Sequence, residues 1–375
     1  MKRLLLVANV DWFLISHRLV IAEEATKRGW KVYVACEDKG RSNEIIDVGV
    51  NFIHFPFSRS GTNPLSELAT IRSFYKLYNN VKPDVVHHIT LKPVIYGSLV
   101  AKFLKVKGVL NAVSGLGYVF TGPRRGAVQN VMLKIMHNGF KRKNIEFIFQ
   151  NKDDFNELSG LGVIHKSNKI NFIKGSGADL AIFKQMPFPE GDRVKILLPT
   201  RMLWDKGVAE LRAASEILKE KYQDKIQFIL AGLADEDNKA GVSAEYLNEW
   251  EEGDYVKWIG YRKDMVAVYA ESDIVILPSY REGMPKTLIE ACAIGRPIIT
   301  TDAIGCRECV DEGVNGLKVP VRSTSELAEA ISRLVDDSNL RSIMGTASRI
   351  KAEKEFDQKA VVQKHIEIYE NLLNE

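Results

Sequence analysis

The chain has 375 residues, of which 45% are hydrophobic and 27% charged, as expected for a globular protein long enough for two domains. No apolar run reaches the roughly 18 residues of a membrane-spanning helix. The apolar stretch in residues 1–10 is short for a signal peptide and is followed by Asp11, so it predicts a buried first strand. Four cysteines without a secretory signal indicate a reducing cytoplasm, and the pair Cys306 and Cys309 alone is a weak zinc motif.

The net charge of +4 conceals an uneven distribution. Residues 1–180 contain 26 basic and 14 acidic residues (26 − 14 = +12), whereas the remainder contains 26 basic and 34 acidic residues (26 − 34 = −8). No acidic residue lies between Asp84 and Glu146, where basic and apolar residues alternate as in an amphipathic helix that docks on an anionic membrane. Nucleic acid is the competing partner, but no nucleic-acid-binding signature accompanies the pattern. An ordinary helix with a charged outer face is the third interpretation. The predicted membrane residues are Arg124, Arg125, Lys134, Lys141, Arg142 and Lys143.

The first half of the chain alternates strands with helical segments, which predicts a parallel sheet of βαβ units. Strands are expected at about 3–8, 31–35, 51–55, 84–88, 108–113, 145–149 and 169–173. Helices are expected at about 16–28, 42–48, 64–80, 94–104, 127–141 and 152–159. Because ligands of such sheets bind beyond the carboxyl ends of the strands, residues 9–17, 114–121 and 175–179 are expected at one edge.

A second series begins after the Pro- and Gly-rich segment 186–191. Strands are expected at about 194–199, 226–231, 255–259, 273–277, 297–300 and 316–319. Helices are expected at about 207–221, 243–250, 264–271, 285–294, 324–336 and 339–354. The sequence therefore predicts an α/β protein with domains at 1–183 and 184–356, a terminal helix at 357–375 that packs back on the first domain, and an active site in the cleft between the domains.

Residues 273–290 combine a buried strand, a turn and a helix that Pro285 can begin. Backbone N–H groups near residues 284–287 and the positive end of the helix dipole would attract an anion such as phosphate. The carboxylates of Glu282 and Glu290 can accept hydrogen bonds from sugar hydroxyls. The pattern predicts a phosphorylated polyhydroxyl ligand. In the plainer interpretation Glu282 caps the helix and Glu290 is a solvated surface residue.

Arg201 and Lys206 flank the turn after strand 194–199, where a pair of cations can neutralise a diphosphate. Tyr261 and Arg262 follow strand 255–259 and are expected in the neighbouring loop, near a nucleotide base. The acidic loop at 235–237 could hold a metal ion, but we interpret it as solvated because the cations already supply positive charge. No metal is therefore required.

Polar residues at the edge of the first domain are candidates for an acceptor site. His17 lies where the first strand passes into the first helix, and it is either a base or hydrogen-bond donor or a packed core residue. The first turn contains no G-x-G-x-x-G, which argues against a dinucleotide-binding domain. The predicted acceptor-binding residues are Asp11, Trp12, His17, Ser114, Gly115 and Gly117.

Taken together, these motifs resemble the glycosyltransferases of GT-B fold in the large retaining family 4. The likeness covers nearly the whole chain and is strongest from Gly175 to Gly316, including Gly177-Ala-Asp179, Gly305-x-x-Glu308 and Gly313-x-Asn315-Gly316. It departs from the family at residues 8–11, which replace a double glycine, and at Cys306, which replaces a second glycine. The N-terminal pattern is similar to bacterial enzymes that extend undecaprenyl-diphosphate-linked glycans, including the N-acetylgalactosaminyltransferase of protein N-glycosylation. Its marks are His17-Arg18, Phe57-Ser-Arg59, Asn63-Pro64 and Gly115-Leu-Gly117.

The resemblance implies two Rossmann-like domains and retaining transfer of a hexose or N-acetylhexosamine from a UDP-sugar to a lipid-linked saccharide, without a cofactor. It assigns the diphosphate to Arg201 and Lys206, the ribose to Glu290 and the transferred sugar to Glu282. The implied catalytic residues are Glu282, Arg201, Lys206 and His17. The implied donor-binding residues are Arg201, Lys206, Tyr261, Arg262, Glu282, Gly283, Met284, Pro285, Lys286, Thr287 and Glu290. The enzyme is expected at the cytoplasmic face of the membrane. The alternatives are a transferase with a soluble acceptor, a sugar-nucleotide epimerase and a non-catalytic nucleotide-binding protein.

Overall fold

The computed structural model describes residues 1–56, 64–116, 127–236 and 238–374. The chain forms two compact units. Unit 1 comprises Met1–Ser176 together with Lys359–Glu375, and unit 2 comprises Gly177–Gln358. Both are α/β units built on a parallel sheet, as the alternation of strand and helix patterns predicted.

Unit 1 alternates strands and helices from its first residues. Its elements are β1 (Arg3–Val10), α1 (Asp11–Lys27), β2 (Lys31–Glu37), α2 (Ser42–Asp47), β3 (Asn51–His54), α3 (Pro64–Val81), β4 (Val85–Ile89), a π-helix (Pro93–Gly97), α4 (Ser98–Phe103), β5 (Gly108–Val113), α5 (Ala127–Phe140), β6 (Ile145–Phe149), α6 (Lys152–Gly160) and β7 (Lys169–Phe172). Within the described ranges the sheet has seven parallel strands in the order β3-β2-β1-β4-β5-β6-β7. Strands β4, β5 and β6 are buried along their whole length, as in a sheet covered on both faces.

The chain proceeds through unit 2 in the same way. Its elements are β8 (Val194–Pro199), a 3-10 helix (Trp204–Lys206), α7 (Val208–Tyr222), β9 (Ile226–Ala231), α8 (Ala244–Trp250), β10 (Val256–Gly260), α9 (Met265–Ala270), β11 (Ile274–Leu277), α10 (Lys286–Ile294), β12 (Ile298–Thr301), a 3-10 helix (Arg307–Cys309), β13 (Gly316–Val319), α11 (Thr324–Asp336) and α12 (Ser338–Glu355). Within the described residues its sheet has six parallel strands in the order β10-β9-β8-β11-β12-β13.

The last helix, α13 (Gln358–Asn374), packs on unit 1 although it follows unit 2 in the sequence. Its buried apolar residues join the same core cluster as β1 and α1, which includes Ile366 and Leu372 together with Leu4 and Leu14. The structure thus puts residues 359–375 in unit 1, where the sequence analysis expected the terminal helix to pack.

Two local boundaries differ from the predicted ones. The first unit ends at Ser176 rather than at residue 183, because Ala178 pairs with the end of α12: its N–H donates to Phe356 O at 2.8 Å, and Gln358 N–H donates to Ala178 O at 3.1 Å. Helix α1 begins at Asp11 rather than near residue 16, directly after β1. Consequently Asp11 and His17 both lie on a helix, not in an irregular loop.

Candidate active site

Strands β8 and β11 mark the topological switch point of unit 2. From β8 the chain passes to β9 and β10 on one side of the sheet, and β11, β12 and β13 lie on the other side. In open parallel sheets, ligands bind in the crevice outside the carboxyl ends of the two strands at such a point. The segments that follow these strands, residues 200–207 and 278–285, contain Arg201, Lys206 and Glu282. The strand order therefore brings these three predicted donor residues to one place.

The two segments are held against each other by backbone contacts. Asp205 O accepts a hydrogen bond from Tyr280 N–H at 2.9 Å and another from Ser279 Oγ at 3.1 Å. Gly207 has φ +75°, and a Cβ atom there would lie 2.3 Å from Pro278 O. Only glycine allows both the left-handed conformation and this close approach. The position of Lys206 relative to the segment after β11 is therefore fixed by the backbone.

Lys206 and Glu282 form an ion pair at the centre of this edge. Lys206 Nζ lies 2.5 Å from Glu282 Oε1, and the side chains are 13% and 18% exposed. Burial disfavours the ammonium form, but the attraction of Glu282 outweighs it, so the pKa of Lys206 is raised. The sequence pattern predicts contacts of these residues with different parts of the donor, and it gives no indication that they contact each other.

Arg201 is also paired, with the acidic loop that was interpreted as solvated. Arg201 Nη1 lies 3.3 Å from Asp235 Oδ2. Asp237 of that loop lies outside the described residues. Among the residues that the structure describes, no group of three or more His, Cys, Asp or Glu is placed to hold a metal ion. The four cysteines are all buried and unpaired with one another.

Helix α10 begins at Lys286, immediately after Pro285, at the same edge of the sheet. Leu288 N–H and Ile289 N–H both donate to Pro285 O, so the helical ladder starts there. The first turn of a helix presents N–H groups and a partial positive charge. Met284, Lys286 and Thr287 therefore lie where an anion would be stabilised, beside the loop that carries Gly283.

Glu290 is buried inside α10 and is only 7% exposed, which rules out the interpretation as a solvated surface residue. Burial raises the pKa of its carboxyl, and the effect is partly offset by Lys286 and Tyr269. Lys286 Nζ lies 3.4 Å from Glu290 Oε1, and Tyr269 donates its hydroxyl to Glu290 Oε2 at 3.2 Å. Tyr269, a buried residue of α9, was missed because its position beside Glu290 depends on helix packing.

Tyr261 and Arg262 follow a strand that ends at this edge, but they lie farther from the switch point than predicted. They follow β10, the edge strand, and β9 lies between β10 and β8. Two strand spacings correspond to about 10 Å. Tyr261 is exposed, and Arg262 forms an ion pair with Asp264 at 2.5 Å. The prediction that residues 260–262 form the neighbouring loop is wrong, since residues 232–241 after β9 occupy that position.

Two of the predicted acceptor residues of unit 1, Asp11 and His17, lie on α1. Asp11 is fully buried, and its carboxylate accepts the N–H groups of Trp12, Lys39 and Arg41 at 2.6 to 3.0 Å, so it fixes the loop after β2 rather than facing a ligand. His17 is half-buried on α1. Its Nδ1 bonds Phe13 O at 3.1 Å, and its ring stacks on that of Phe13 at 4.3 Å.

Ser114 and Gly115 directly follow β5 and are half-buried at the carboxyl edge of the unit 1 sheet. Gly115 has φ +113°. Gly117 lies outside the described residues, as do Phe57, Arg59 and Asn63 of the N-terminal pattern. The edge position of Ser114 and Gly115 is the one expected for the loop after the fifth strand.

The predicted membrane residues are only partly on a helix. Lys134 is exposed on α5, but that helix ends at Phe140, so Lys141, Arg142 and Lys143 lie in the following turn. Arg142 is half-buried and its Nη2 donates to Val106 O at 2.5 Å, so it is anchored to the protein. Burial lowers its pKa. Arg124 and Arg125 lie outside the described residues.

Comparison with known proteins agrees with this geometry. A profile described as "Glycosyl transferase 4-like" matches residues 3–151, and one described as "Glycosyl transferases group 1" matches residues 193–337. The chain is 29% identical over 371 residues, 95% of each protein, to the N,N'-diacetylbacillosaminyl-diphospho-undecaprenol alpha-1,3-N-acetylgalactosaminyltransferase of Campylobacter jejuni. It is 23% identical to the UDP-Gal:alpha-D-GlcNAc-diphosphoundecaprenol alpha-1,3-galactosyltransferase of Escherichia coli, covering 90% of this chain and 88% of that protein.

The fold matches as well. The crystal structure of Anabaena HepE in complex with UDP superposes with a TM-score of 0.79 at 18% identity, covering 99% of this chain and all of the other. At that identity the likeness concerns the fold alone. Together with the matched profiles and the cations and carboxylates at the switch point of unit 2, these comparisons show that the chain belongs to the glycosyltransferases of GT-B fold, group 1 and 4-like.

Proposed function

We propose that this glycosyltransferase transfers a hexose or N-acetylhexosamine from a UDP-sugar, with retention of the anomeric configuration, to a hydroxyl of an undecaprenyl-diphosphate-linked saccharide. The observation that carries the donor assignment is the convergence of Lys206, Glu282 and the first turn of α10 at one switch point. The acceptor assignment rests on the relatives, whose names specify diphospho-undecaprenol acceptors.

The residues of unit 2 suit the departure of a nucleoside diphosphate. Lys206 and Arg201 supply positive charge, and the N-terminal turn of α10 supplies N–H donors, so charge that develops on the diphosphate meets fixed positive groups. Glu290 would accept ribose hydroxyls and Glu282 a hydroxyl of the transferred sugar. Because these groups balance the diphosphate charge, we propose that transfer requires no metal ion.

We further propose that the enzyme binds peripherally to the anionic cytoplasmic face of the membrane. Within the described residues no helix is long and apolar enough to span a membrane. The exposed lysines Lys134, Lys141 and Lys143 are accompanied by the exposed apolar residue Val131 on α5. Lys134 and Lys141 also line a cavity of about 540 Å³, with His137 and Leu161, that is large enough for a lipid phosphate group. Cations beside exposed apolar side chains are typical of a surface that binds anionic lipid.

The donor assignment is tested by thermal unfolding with UDP, GDP and ADP, each with EDTA and then with Mg²⁺. UDP at 100 times its Kd should stabilise the protein by about 2.7 kcal/mol, and we expect this with UDP in EDTA. No stabilisation by any nucleotide would reject the donor site, and stabilisation only with Mg²⁺ would reject metal independence.

The transfer itself is tested with UDP-sugars and a diphosphoundecaprenol-linked N-acetylhexosamine in detergent micelles. We expect a product whose new linkage is α, as measured by NMR coupling constants. A β-linked product would contradict the retaining mechanism. Transfer to free oligosaccharides at the same efficiency as to the lipid-linked acceptor would favour a soluble acceptor instead.

A further inference from the structure

Tyr269 is a fully buried aromatic residue of α9, and its hydroxyl group contacts two parts of α10. The hydroxyl lies 3.0 Å from Thr287 O and 3.2 Å from Glu290 Oε2. A buried tyrosine needs a partner for its hydroxyl, but a single backbone carbonyl would be enough. Here the hydroxyl reaches both the first turn of α10 and the carboxylate that we propose to bind the ribose.

The carboxylate of Glu290 is held at both of its oxygen atoms. Oε1 faces Lys286 Nζ at 3.4 Å, and Oε2 accepts the hydrogen bond from Tyr269. A carboxylate has about four lone pairs, so these two contacts leave capacity for the hydroxyl groups of a ligand. Because both contacts restrain rotation of the carboxylate, its remaining lone pairs have a fixed direction. Such restraint reduces the conformational entropy that is lost when a ligand binds.

The end of α9 that carries Tyr269 is fixed by contacts that do not involve the hydroxyl group. Arg296 is fully buried just after α10, and it donates from Nε to Tyr269 O at 3.2 Å and from Nη2 to Ala270 O at 2.9 Å. It also donates to Met186 O at 2.8 Å and to Pro187 O at 2.7 Å, so the guanidinium ties α9 to the segment before β8. We therefore expect Tyr269→Phe to keep the aromatic ring in place.

The hydroxyl of Tyr269 also favours the ionised form of Glu290. Burial raises the pKa of this carboxyl, and the contacts with Lys286 and Tyr269 lower it in part. Loss of the hydrogen bond from Tyr269 would remove one of these two opposing effects and leave Oε2 without that donor. Tyr269 thus acts on both the orientation and the charge of one carboxylate.

We propose that Tyr269 is a positioning residue of the donor site, whose hydroxyl orients the carboxylate of Glu290 toward the ribose hydroxyl groups. The proposal deepens the proposed function and rests on its assignment of Glu290 to the ribose. Because Tyr269 is fully buried, it acts on a nucleotide through Glu290 rather than by contact. Its removal should therefore affect only ligands that possess the ribose hydroxyl groups. A tyrosine that merely packs in the core would show no such dependence.

The test compares UDP with 2′,3′-dideoxy-UDP, which lacks both ribose hydroxyl groups, by isothermal titration calorimetry. We expect the wild type to prefer UDP and Tyr269→Phe to reduce that preference about three- to tenfold, the effect of one hydrogen bond. The affinity for 2′,3′-dideoxy-UDP should be the same in both proteins. The control is Tyr255→Phe, which removes another buried hydroxyl of unit 2, the donor to Ser215 O at 2.6 Å, and should leave both affinities unchanged.

The pH dependence of the same preference gives a second measurement. The preference should decrease as the pH is lowered and Glu290 becomes protonated. Since Tyr269 favours the ionised carboxylate, this decrease should occur at a higher pH in Tyr269→Phe than in the wild type. The phosphate groups of the two nucleotides titrate alike, so their contribution cancels in the comparison.

The possible failures have different signatures. Equal weakening of both nucleotides by Tyr269→Phe, or an unchanged preference for UDP, would overturn the positioning role alone. A wild type that binds both nucleotides equally well would overturn the ribose role of Glu290 and this inference with it. Absent transfer from UDP-sugars, with the Tyr269-dependent preference intact, would reject the transferase function and support the role of Tyr269 in nucleotide binding.

Discussion

At the scale of single residues, the ion pair of Lys206 and Glu282 means that a diphosphate bound by Lys206, as we propose, would compete for a lysine that is already paired. The 2.5 Å contact is mostly shielded from solvent, so its electrostatic attraction is not fully screened. A nucleoside diphosphate that enters this site replaces or shares the carboxylate. In the proposed donor site, Glu282 would therefore oppose binding of the diphosphate while assisting binding of the sugar.

Glu282→Gln should consequently separate affinity from turnover. Removal of the carboxylate releases Lys206, so we expect UDP to bind about two- to tenfold more tightly, the range of a partly shielded ion pair. Turnover with the UDP-sugar should fall, because the contact to the transferred sugar is weakened. Calorimetry with UDP and initial-rate kinetics measure the two effects, with the exposed Glu329→Gln of α11 as control.

Lys206→Ala should act in the opposite direction on affinity. It removes a fixed positive charge from the diphosphate site, which should weaken UDP binding and lower turnover at least about a hundredfold. Equal UDP affinity in wild type, Glu282→Gln and Lys206→Ala would contradict the assignment of this pair to the donor.

Glu290 gives a prediction about pH. Burial raises the pKa of its carboxyl above the ordinary value of 4.5. In the proposed ribose role the ionised form accepts the hydroxyls, so UDP affinity should fall as the pH decreases through this raised pKa. Glu290→Gln should bind UDP more weakly at pH 7.5 and lack this component of the pH dependence. Because the phosphate of UDP also titrates, the informative quantity is the difference between the two pH profiles measured by calorimetry. Parallel profiles would exclude the ribose role.

The raised pKa of Glu290 also affects protein stability. Whereas UDP affinity should fall as the pH decreases, stability should fall as the pH increases. An acid whose pKa is higher in the folded state loses free energy of unfolding as the pH rises from 4.5 through the raised pKa. Glu290→Gln, which stays neutral, should therefore be more stable than the wild type at pH 7.5. Such a cost in stability is typical of residues that serve function.

At the scale of elements, periodicity in the sequence predicted where most strands and helices lie along the chain. It did not predict which elements are adjacent in space. The run Ile274–Leu277 predicts a buried strand because its residues are apolar and β-branched. Nothing in the sequence specifies that β9 separates β8 from β10, which is why Tyr261 and Arg262 were expected in the loop next to the one after β8. Tyr269 was missed for the same reason, since its contact with Glu290 arises only when α9 packs on α10.

In the turn after α5, three consecutive basic residues have different environments. Lys141, Arg142 and Lys143 are adjacent in sequence, yet only Arg142 is anchored, to the carbonyls of Val106 and Lys107. Substitution of Arg142 should therefore affect stability rather than membrane binding. Lys134, Lys141 and Lys143 are the cations that remain exposed.

Substitution of these three lysines by glutamine should weaken binding to vesicles that contain phosphatidylglycerol. Each lysine near an anionic surface contributes about 1 kcal/mol, so the loss is expected to reach about a hundredfold in low salt and to shrink as salt is added. The control is the same charge change at the exposed residues Lys225, Lys257 and Lys354 of unit 2. Vesicle co-sedimentation measures both variants, and equal losses would show that only net charge matters.

At the scale of the whole molecule, the two units differ in how they should respond to acid. All seven histidines belong to unit 1, and none occurs between residues 177 and 358. His87, His88 and His365 are fully buried. Burial lowers the pKa of each, to about 4 for His88 and about 3 for His365. Unit 2 instead contains Asp273 and Glu290, whose pKa values burial raises.

The sign of the effect follows from proton binding. Below pH 6.5 the unfolded chain binds protons at these histidines, whereas folded unit 1 keeps them neutral until a much lower pH. The free energy of unfolding of unit 1 should therefore fall as the pH drops below 6.5, by up to about 1.4 kcal/mol per pH unit for each histidine. In unit 2 the raised carboxyl pKa values act in the opposite direction, since the folded state there binds protons more readily.

Hydrogen exchange of peptides from each unit, corrected for the intrinsic pH dependence of exchange, should thus show unit 1 losing protection between pH 7 and 5 while unit 2 does not. His365→Gln removes one titrating group. It should therefore reduce the slope of the free energy of unfolding of unit 1 against pH by the equivalent of about one bound proton. The exposed His137→Gln, also in unit 1, is the matched control and should leave it unchanged. An equal loss of protection in both units, or equal flattening by the two variants, would contradict the role of the buried histidines. The expected result would make unit 1 the acid-sensitive part of the enzyme and unit 2 the acid-resistant part.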